Sequence, residues 1–324
     1  MAERNPDWGA VASAEFGLGP GPAAAEEVAC LVLGNFDGVH LGHQAILAAG
    51  RRVARGQGRQ LVAITFQPHP RAAINPGQGP PLLSPPALRR RLLLEHGVDR
   101  VWVLPFTSRL QQLSPEEFMD RVRGRLLIRE MVVGPRVSLG PPGQGGLDFL
   151  RAYAGQVGFK VKVIAGRVSQ GQPVSSSVIR DRLQEGRLDQ VARMLGRSFE
   201  VLGRVELGMG LGRRLGFPTA NLALHPDQAL PPDGVYVMRF DGGDGRPASA
   251  VGSIGVRPHF DMARRVFEVH ALEDPGDLYG RWLRVSVLSR IREQHRFGSD
   301  QELVAQMGHD REAARAYLAA GAPA

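Results

Sequence analysis

The spacing of apolar segments changes near residue 195, and this change constrains the fold more than any other feature. Before it, short apolar runs such as 30–33 and 61–66 alternate with helix-like stretches such as 41–54 and 86–96. Strands that alternate with helices predict a parallel sheet covered on both faces. After it, strands follow one another closely, separated by glycine and proline turns, which predicts an antiparallel sheet or barrel.

The predicted fold class is therefore α/β followed by β, ending in a helix. A flexible tail is expected over 1–26, a parallel-sheet domain over 27–186 and a β-barrel domain over 187–324. Predicted barrel strands are 199–207, 234–240, 249–255, 265–272 and 281–288. Capping boxes are predicted at Ser114–Glu117 and Ser299–Glu302. In each, the side chains of a serine and of a glutamate three residues later accept hydrogen bonds from backbone N–H groups at the start of a helix.

Composition narrows the function classes. The chain has 324 residues, a net charge of +8 and one cysteine, Cys30, so no intrachain disulfide can form and a cytoplasmic location is predicted. We find neither a signal-peptide pattern nor an apolar run that could span a bilayer. Lys160 and Lys162 are the only lysines, and no Gly-Lys-Ser/Thr phosphate loop exists. Arginine blocks such as 89–91 lack interleaved aromatics and are interpreted as solvated surface charge, which leaves nucleic-acid binding as a weak alternative.

A glycine-rich segment, 34–44, follows the first predicted strand and precedes the first predicted helix. Glycines let backbone approach a ligand, and N–H groups at a helix start favour anions, so a phosphate site is predicted. His40 and His43 lie three residues apart and can face the same ligand. A zinc site that adds His69 is an alternative, although glycines and a helix start suit an anion better. The predicted phosphate-binding residues in this loop are Gly34, Asn35, Phe36, Asp37 and Gly38.

Two further stretches are candidates for binding phosphate or metal. The serines at 175–177, with Arg180, would form a second phosphate clamp or would only cap a helix. The glycines at 208–212 resemble a dinucleotide-binding loop weakly, because their spacing is wrong and a proline blocks the required helix. Beyond them, a strand would put the oxygens of Thr219 and Asn221 on one face, where they suit a magnesium ion shared with nucleotide phosphates.

Glu268 lies in an otherwise apolar run, 266–270. Strand alternation puts Val266, Glu268 and His270 on one face. That face is either the solvated outside of a barrel or its interior. If it points inward, Glu268 is placed to take a proton from a hydroxyl group.

From about residue 27 to 318 the chain resembles the prokaryotic bifunctional riboflavin kinase/FAD synthetase family. In the first half, the resemblance rests on residues 34–44, on Thr65-Phe66 with Pro68-His69-Pro70, and on 174–180. In the second half, it rests on 216–221, 234–236, 268–270 and 278–280. So many ordered motifs do not match by chance.

The resemblance implies a Rossmann-like nucleotidyltransferase domain that joins FMN to AMP from ATP and releases pyrophosphate. It also implies a kinase domain that converts riboflavin to FMN with ATP and Mg²⁺. The substrates would be riboflavin, FMN and ATP, with no nucleic acid, membrane or obligatory protein partner.

The family's residue roles carry over position by position. In the first domain His40, His43 and Arg180 would stabilise phosphate charge, and His69, Ser176 and Ser177 would bind phosphates. In the second, Glu268 would be the base and Thr219 and Asn221 would bind Mg²⁺. There the nucleotide would contact Gly212 and Arg213, and the flavin would contact Arg292.

The loop at 134–146 differs from the family pattern. Arg136 stands where an acid is usual, and Val137 and Leu139 stand where aromatics are usual. Val178 replaces an arginine of the third motif. Inverted charge and lost stacking surface predict weaker flavin or nucleotide binding there. A riboflavin kinase with a weakened or non-catalytic adenylyltransferase domain is therefore the alternative. In the kinase half, Ser253 and His259 replace an asparagine and a threonine, and the kinase is expected to tolerate both.

Overall fold

A computed structural model describes residues 28–75, 77–141, 143–208, 211–243, 247–256 and 265–321. The predicted tail over 1–26, His259 and the side chain of Arg213 lie outside this description. Contacts divide the described chain into two compact units, 28–82 with 86–176 and 83–85 with 177–321. The linear boundary predicted between residues 186 and 187 stays a prediction.

The first unit contains a five-stranded sheet in the order β3-β2-β1-β4-β5, and every neighbouring pair is parallel. The predicted parallel sheet is thus confirmed. Its strands are β1 (Val28–Leu33), β2 (Gln60–Gln67), β3 (Arg100–Pro105), β4 (Leu127–Val133) and β5 (Lys160–Val163). A separate hairpin is formed by β6 (Val168–Ser169) and β7 (Gln172–Pro173).

Helices connect these strands. They are α1 (Leu41–Gly56), α2 (Pro70–Ile74), α3 (Pro86–Glu95), α4 (Ser108–Gln111), α5 (Pro115–Arg123) and α6 (Leu147–Val157). Residues 61–66 of β2 are all buried, as expected for a strand covered on both faces. Helix α1 lies close to the sheet at Gly50, where a Cβ would come within 2.8 Å of Leu61 Cδ1. This close packing holds the middle of α1 against β1 and β2.

The two predicted capping boxes have different outcomes. At α5, Ser114 Oγ accepts from Glu117 N at 3.1 Å and the Glu117 carboxylate accepts from Ser114 N at 2.8 Å, so this box is confirmed. At α10 (Asp300–Ala319), Ser299 Oγ accepts from Glu302 N. The Glu302 carboxylate, however, accepts from Gly298 N at 2.9 Å. The second hydrogen bond of the predicted box, from Ser299 N to the Glu302 carboxylate, is therefore wrong, because its donor is the preceding residue, Gly298.

The second unit begins with two helices and continues into a closed antiparallel barrel. The helices are α7 (Ser176–Gln184), whose first residue belongs to the first unit, and α8 (Leu188–Leu195). Barrel neighbours follow the order β10-β11-β12-β9-β8-β13. The strands are β8 (Phe199–Glu206), β9 (Ala220–Leu224), β10 (Gly234–Asp241), β11 (Ala248–Val256), β12 (Arg265–Ala271) and β13 (Trp282–Arg292), with a short helix α9 (Leu211–Arg214) before β9. Helix α10 packs on this barrel through Ala314, which is buried with Val235, Val237 and Val251. The predicted barrel and terminal helix are confirmed.

Candidate active sites

The glycine-rich loop occupies the carboxyl end of β1, where parallel sheets bind ligands. Gly34 N donates to Ile64 O at 3.1 Å, and Val39 N donates to Phe36 O at 3.1 Å. Phe36 and Val39 have φ of 48° and 40°, and Gly38 has φ of 80°. Left-handed backbone is costly for a β-branched residue, and such residues cluster at ligand sites. The loop is held in this shape because Phe36 and Val39 are both buried.

The two histidines of the loop form a stacked pair, with ring centroids 3.6 Å apart. His40 Nδ1 accepts from His43 N at 3.3 Å and so caps α1. An accepting nitrogen carries no proton, so the proton of a neutral His40 ring lies on Nε2. Burial, followed by His40, Arg89 and Arg136, holds the pKa of His43 well below its usual 6.5. His43 therefore offers a neutral imidazole rather than a cation.

His43 Nδ1 is a buried atom that has no hydrogen-bond partner among the described residues. Such an atom is costly in a folded protein unless a ligand or water satisfies it. The ring of Phe36 stands edge-on to His43 at 5.3 Å and limits how that imidazole can turn. The orientation of His43 therefore suits a ligand held over the loop.

His69 follows β2 at the same edge of the sheet. Its Nδ1 accepts from Arg71 N at 3.2 Å, and it caps α2. Among the described residues, no group of three His, Cys, Asp or Glu is arranged to hold a metal ion. The structure thus does not assemble His40, His43 and His69 as a three-ligand cluster.

The serine segment meets the glycine-rich loop through one residue. Ser176 Oγ donates to Asp37 O at 2.9 Å, and Asp37 itself is buried. Ser177 and Arg180 belong to α7 within the second compact unit, where Ser177 is exposed and Arg180 is buried. The first compact unit thus contains Gly34 to His43, His69 and Ser176.

Sequence reasoning missed Arg89, and its assignment to solvated surface is wrong. Arg89 is 2% exposed. Its Nη1 donates to Thr65 Oγ1 and to Phe66 O, both at 3.2 Å. The signal was present in the sequence, because helical periodicity puts residue 89 on the same face of α3 as the buried Leu92 and Leu93.

The barrel unit contains a cavity of about 520 Å³. That volume falls in the range of ordinary small-molecule sites. It brings together most of the residues predicted for the second reaction. Through Ser253 and Val251, Glu268 and His270 are in register with Val235 and Val237, the β10 residues that pack with α10. Their face of β12 is therefore the outer face of the barrel, covered by the cavity and α10, so neither of the two orientations weighed from the sequence, solvated outside or barrel interior, holds. The polar lining residues include Thr219, Asn221, Ser253, Glu268, His270 and Arg292.

Strand register explains why three of these polar groups meet. Glu268 on β12 pairs with Asn221 on β9 and with Ser253 on β11. Directly paired residues point to the same face of a sheet, with Cβ atoms about 4.5–5.5 Å apart. Ser253 Oγ donates to Glu268 Oε2 at 3.3 Å. The carboxylate of Glu268 therefore lies between an amide and a hydroxyl group inside the cavity.

Thr219 and Asn221 lie against glycines that leave room for them. A Cβ at Gly212 would stand 3.2 Å from Thr219 Oγ1 and would collide with the Phe217 carbonyl. A Cβ at Gly208 would collide with the Asn221 amide. These hard oxygen donors, with no cage of carboxylates, fit an Mg²⁺ ion that is also bound by phosphates.

Two further cavity residues make hydrogen bonds that were not predicted from the sequence. His270 Nδ1 lies 2.8 Å from Pro218 O, and an N–H there donates to the carbonyl that precedes Thr219. Arg292 makes a two-bond pair with the buried Asp310, at 2.8 Å from Nε to Oδ1 and 2.7 Å from Nη2 to Oδ2. The pair fixes the guanidinium of Arg292 beside the cavity.

Comparison with known proteins gives a family for each half of the chain. The FAD synthetase family matches residues 23–178, and the riboflavin kinase family matches residues 195–318. A bifunctional riboflavin kinase/FMN adenylyltransferase from Pseudomonas fluorescens is 39% identical over 90% of this chain and 93% of its own length. The chain belongs to this family. The Escherichia coli K12 enzyme of the same name is 33% identical over 93% of this chain and 96% of its own length.

A solved structure shares the architecture of this family member. A Streptococcus pneumoniae protein, described as a macrolide-efflux protein, aligns with a TM-score of 0.78 and 30% identity. The alignment covers 90% of this chain and 94% of that one. Across the described segments, we find no helix that is both long and apolar enough to cross a membrane.

Proposed function

We propose that this chain makes FMN and FAD in two separate reactions, each in its own site. The barrel transfers the γ-phosphoryl group of ATP to riboflavin and releases ADP. The parallel-sheet unit joins FMN to the AMP part of a second ATP and releases pyrophosphate. The observation that carries the proposal is the placement of Glu268 beside Asn221 and Ser253 inside the cavity, within a chain whose loop at 34–43 forms a second built site.

In the kinase site, Glu268 is the base that takes the proton from the ribityl hydroxyl of riboflavin. Thr219 and Asn221 hold Mg²⁺, which supplies charge neutralisation at the phosphates when bound. Phosphoryl transfer depends mainly on positioning and charge stabilisation, so an oriented carboxylate near hard oxygen donors suits it. Gly212 and Arg213 contact the nucleotide, and Arg292 contacts the flavin.

In the adenylyltransferase site, the FMN phosphate is itself the nucleophile and requires no base. The protein must stabilise charge that grows on the α- and β-phosphates of ATP. The glycine-rich loop and the start of α1 favour those anions through backbone N–H groups other than that of Gly34, which donates to Ile64 O. His40 and His43 act as hydrogen-bond donors, while His69 and Ser176 bind phosphates. The phosphate-binding roles of Ser177 and Arg180 stay predictions from the sequence.

One assay tests both halves. Purified full-length protein is incubated with riboflavin, ATP and Mg²⁺, and flavins are separated by chromatography. We expect FMN to appear first and FAD to follow. FMN without FAD, even at high enzyme concentration, would remove the adenylyltransferase half and leave the kinase-only alternative. No observation among the described residues favours that alternative.

Single substitutions test the assignment of residues to sites. Glu268→Gln should lower the rate of FMN formation by about 10²–10⁴-fold, the range for loss of a general base. The same variant should still convert supplied FMN to FAD. His43→Ala should lose FAD formation and keep the kinase. Equal loss of both activities in either variant would contradict the two-site assignment. The cytoplasmic location and the absence of other partners stay predictions.

A further inference from the structure

Arg89 connects α3 to the glycine-rich loop through a short series of hydrogen bonds. Its guanidinium donates to Thr65 Oγ1 and to Phe66 O at the carboxyl end of β2. Thr65 Oγ1 in turn donates to Asn35 O at 3.0 Å. Asn35 is the second residue of the loop that the proposed function assigns to phosphate binding. The position of that loop therefore depends on a buried side chain 54 residues further along the chain (89 − 35 = 54).

The same guanidinium acts on His43. Burial is the largest cause of the lowered pKa of His43, and smaller effects of His40, Arg89 from α3 and Arg136 from the turn after β4 add to it. Arg89 differs from Arg136 because it is buried, and a buried charge is screened much less by salt. Asp37, the carboxyl group of the loop, is buried as well and contributes its carbonyl to Ser176.

We propose that Arg89 is a positioning residue for FMN adenylylation, which holds the phosphate loop in place through Thr65 and Asn35. The inference rests on the proposed adenylyltransferase function. Arg89 contacts residues that support the loop rather than the reacting atoms, so it acts through Thr65. A lysine at this position would keep the charge, but it could not present two donors in a fixed plane as a guanidinium does.

Three variants separate the two effects. Arg89→Met removes both the hydrogen bonds and the charge, Arg89→Lys keeps the charge, and Thr65→Val breaks the link to Asn35 while Arg89 stays. Arg90→Met is the matched control, because residue 90 is the neighbouring arginine on α3 and is partly exposed. Riboflavin kinase activity of the same protein, with circular dichroism, reports whether each variant is folded.

FAD formation from FMN and Mg²⁺-ATP is measured across pH 5–9. For Arg89→Met we expect kcat/KM to fall about tenfold to hundredfold, the size expected from losing one or two charge-assisted hydrogen bonds. Its acid limb should also move to higher pH, because an imidazole without a cation beside it takes up a proton more easily. Thr65→Val should lower the rate without moving the acid limb, and Arg89→Lys should restore the acid limb more than the rate.

Two results would overturn the proposal. The first is that Arg89→Met and Arg90→Met have kcat/KM values within about twofold of each other and acid limbs within about 0.2 pH units. If Arg89→Met does not fold, the Thr65→Val and Arg89→Lys variants decide, and wild-type rates in both would reject the role. Failure of the wild-type protein to make any FAD would instead reject the proposed function itself, so the two failures are distinguishable.

Discussion

Removing the carboxylate of Asp310 should destabilise the barrel far more than removing a neighbouring surface carboxylate. The Asp310 side chain is 5% exposed and that of Arg292 is 16% exposed. Gln306 Nε2 adds a third hydrogen bond to Asp310 at 2.9 Å. Asp310→Ala would leave a largely buried guanidinium without its anion, and breaking such a pair costs about 3–5 kcal/mol.

Glu312 offers a control on the same helix. It pairs with Arg315 at 2.9 Å, but the two side chains are 63% and 47% exposed. An exposed pair contributes about 0–1 kcal/mol, so Glu312→Ala should have little effect on the free energy of unfolding. The difference between the two variants should therefore be at least about 2 kcal/mol.

Urea denaturation monitored at Trp282 measures this difference. Trp282 begins β13, and Trp8→Phe with Trp102→Phe leaves it as the only tryptophan, so the signal reports on the barrel. With a slope of about 1–3 kcal/mol per molar urea, Asp310→Ala should lower the midpoint by about 2 M. The KM for riboflavin should rise as well, because Arg292 loses its fixed orientation. Equal midpoints for Asp310→Ala and Glu312→Ala would refute this account of the pair.

Three further predictions follow from buried groups. Burial, with a smaller effect of Glu130, raises the pKa of the Cys30 thiol to about 12, so a thiol reagent at pH 8 should modify it only after β1 unfolds. His270→Asn, which keeps a donor near Pro218 O, should retain more kinase activity than His270→Leu, and the KM for Mg²⁺-ATP should show the difference. Stability of the first unit should fall as pH drops below about 6.5, because unfolded His43 takes up a proton that folded His43 refuses. Urea midpoints at pH 5 and 7 should show this slope, and His43→Asn should flatten it.

Periodicity in the sequence was enough to predict both sheets, but the short elements depend on contacts that periodicity does not contain. Strand β9 has only Leu222 buried, so no alternating apolar pattern marks it. Helices α2 and α4 span five and four residues and are set by the caps of His69 and Thr107. Helix α6 begins at Leu147 after the N-cap Gly146, which has no side chain to cap it, so the usual start signal was missing.

Site residues could be predicted from the sequence where they lie close together on one strand or in one loop. Alternation put Glu268 and His270 on one face of β12, but neither orientation weighed for that face holds, because it is the outer face of the barrel and α10 covers it. Arg89, His270 and Asp310 could not be given roles, since each contacts a partner that is distant in the sequence or close only through a helix turn. Such contacts depend on how elements pack, so even where periodicity places a residue on the buried face of a helix, as it does for Arg89, its partners cannot be predicted from the sequence.

In the loop after β4, the residues that differ from the family pattern have other contacts in the structure than their residue types suggested. Leu139 is 3% exposed and its N–H donates to Gly145 O at 2.9 Å, while Val137 packs against the core of the first unit. These two residues therefore fill the core, and their lack of an aromatic ring does not open the loop. Arg136 is exposed, and its charge contributes to the lowered pKa of His43, so it acts where phosphates are proposed to bind.

This placement changes the expected effect of Arg136 on the nucleotide. A cation within about a Debye length of a triphosphate attracts it, and salt screens that attraction. Arg136→Asp should therefore raise the KM for Mg²⁺-ATP in FAD formation by about fivefold at low salt, with a smaller rise for Arg136→Gln. Both effects should shrink at high salt, and riboflavin phosphorylation should not change. A lower KM in Arg136→Asp would show instead that the inverted charge weakens the site, as residue types alone suggested.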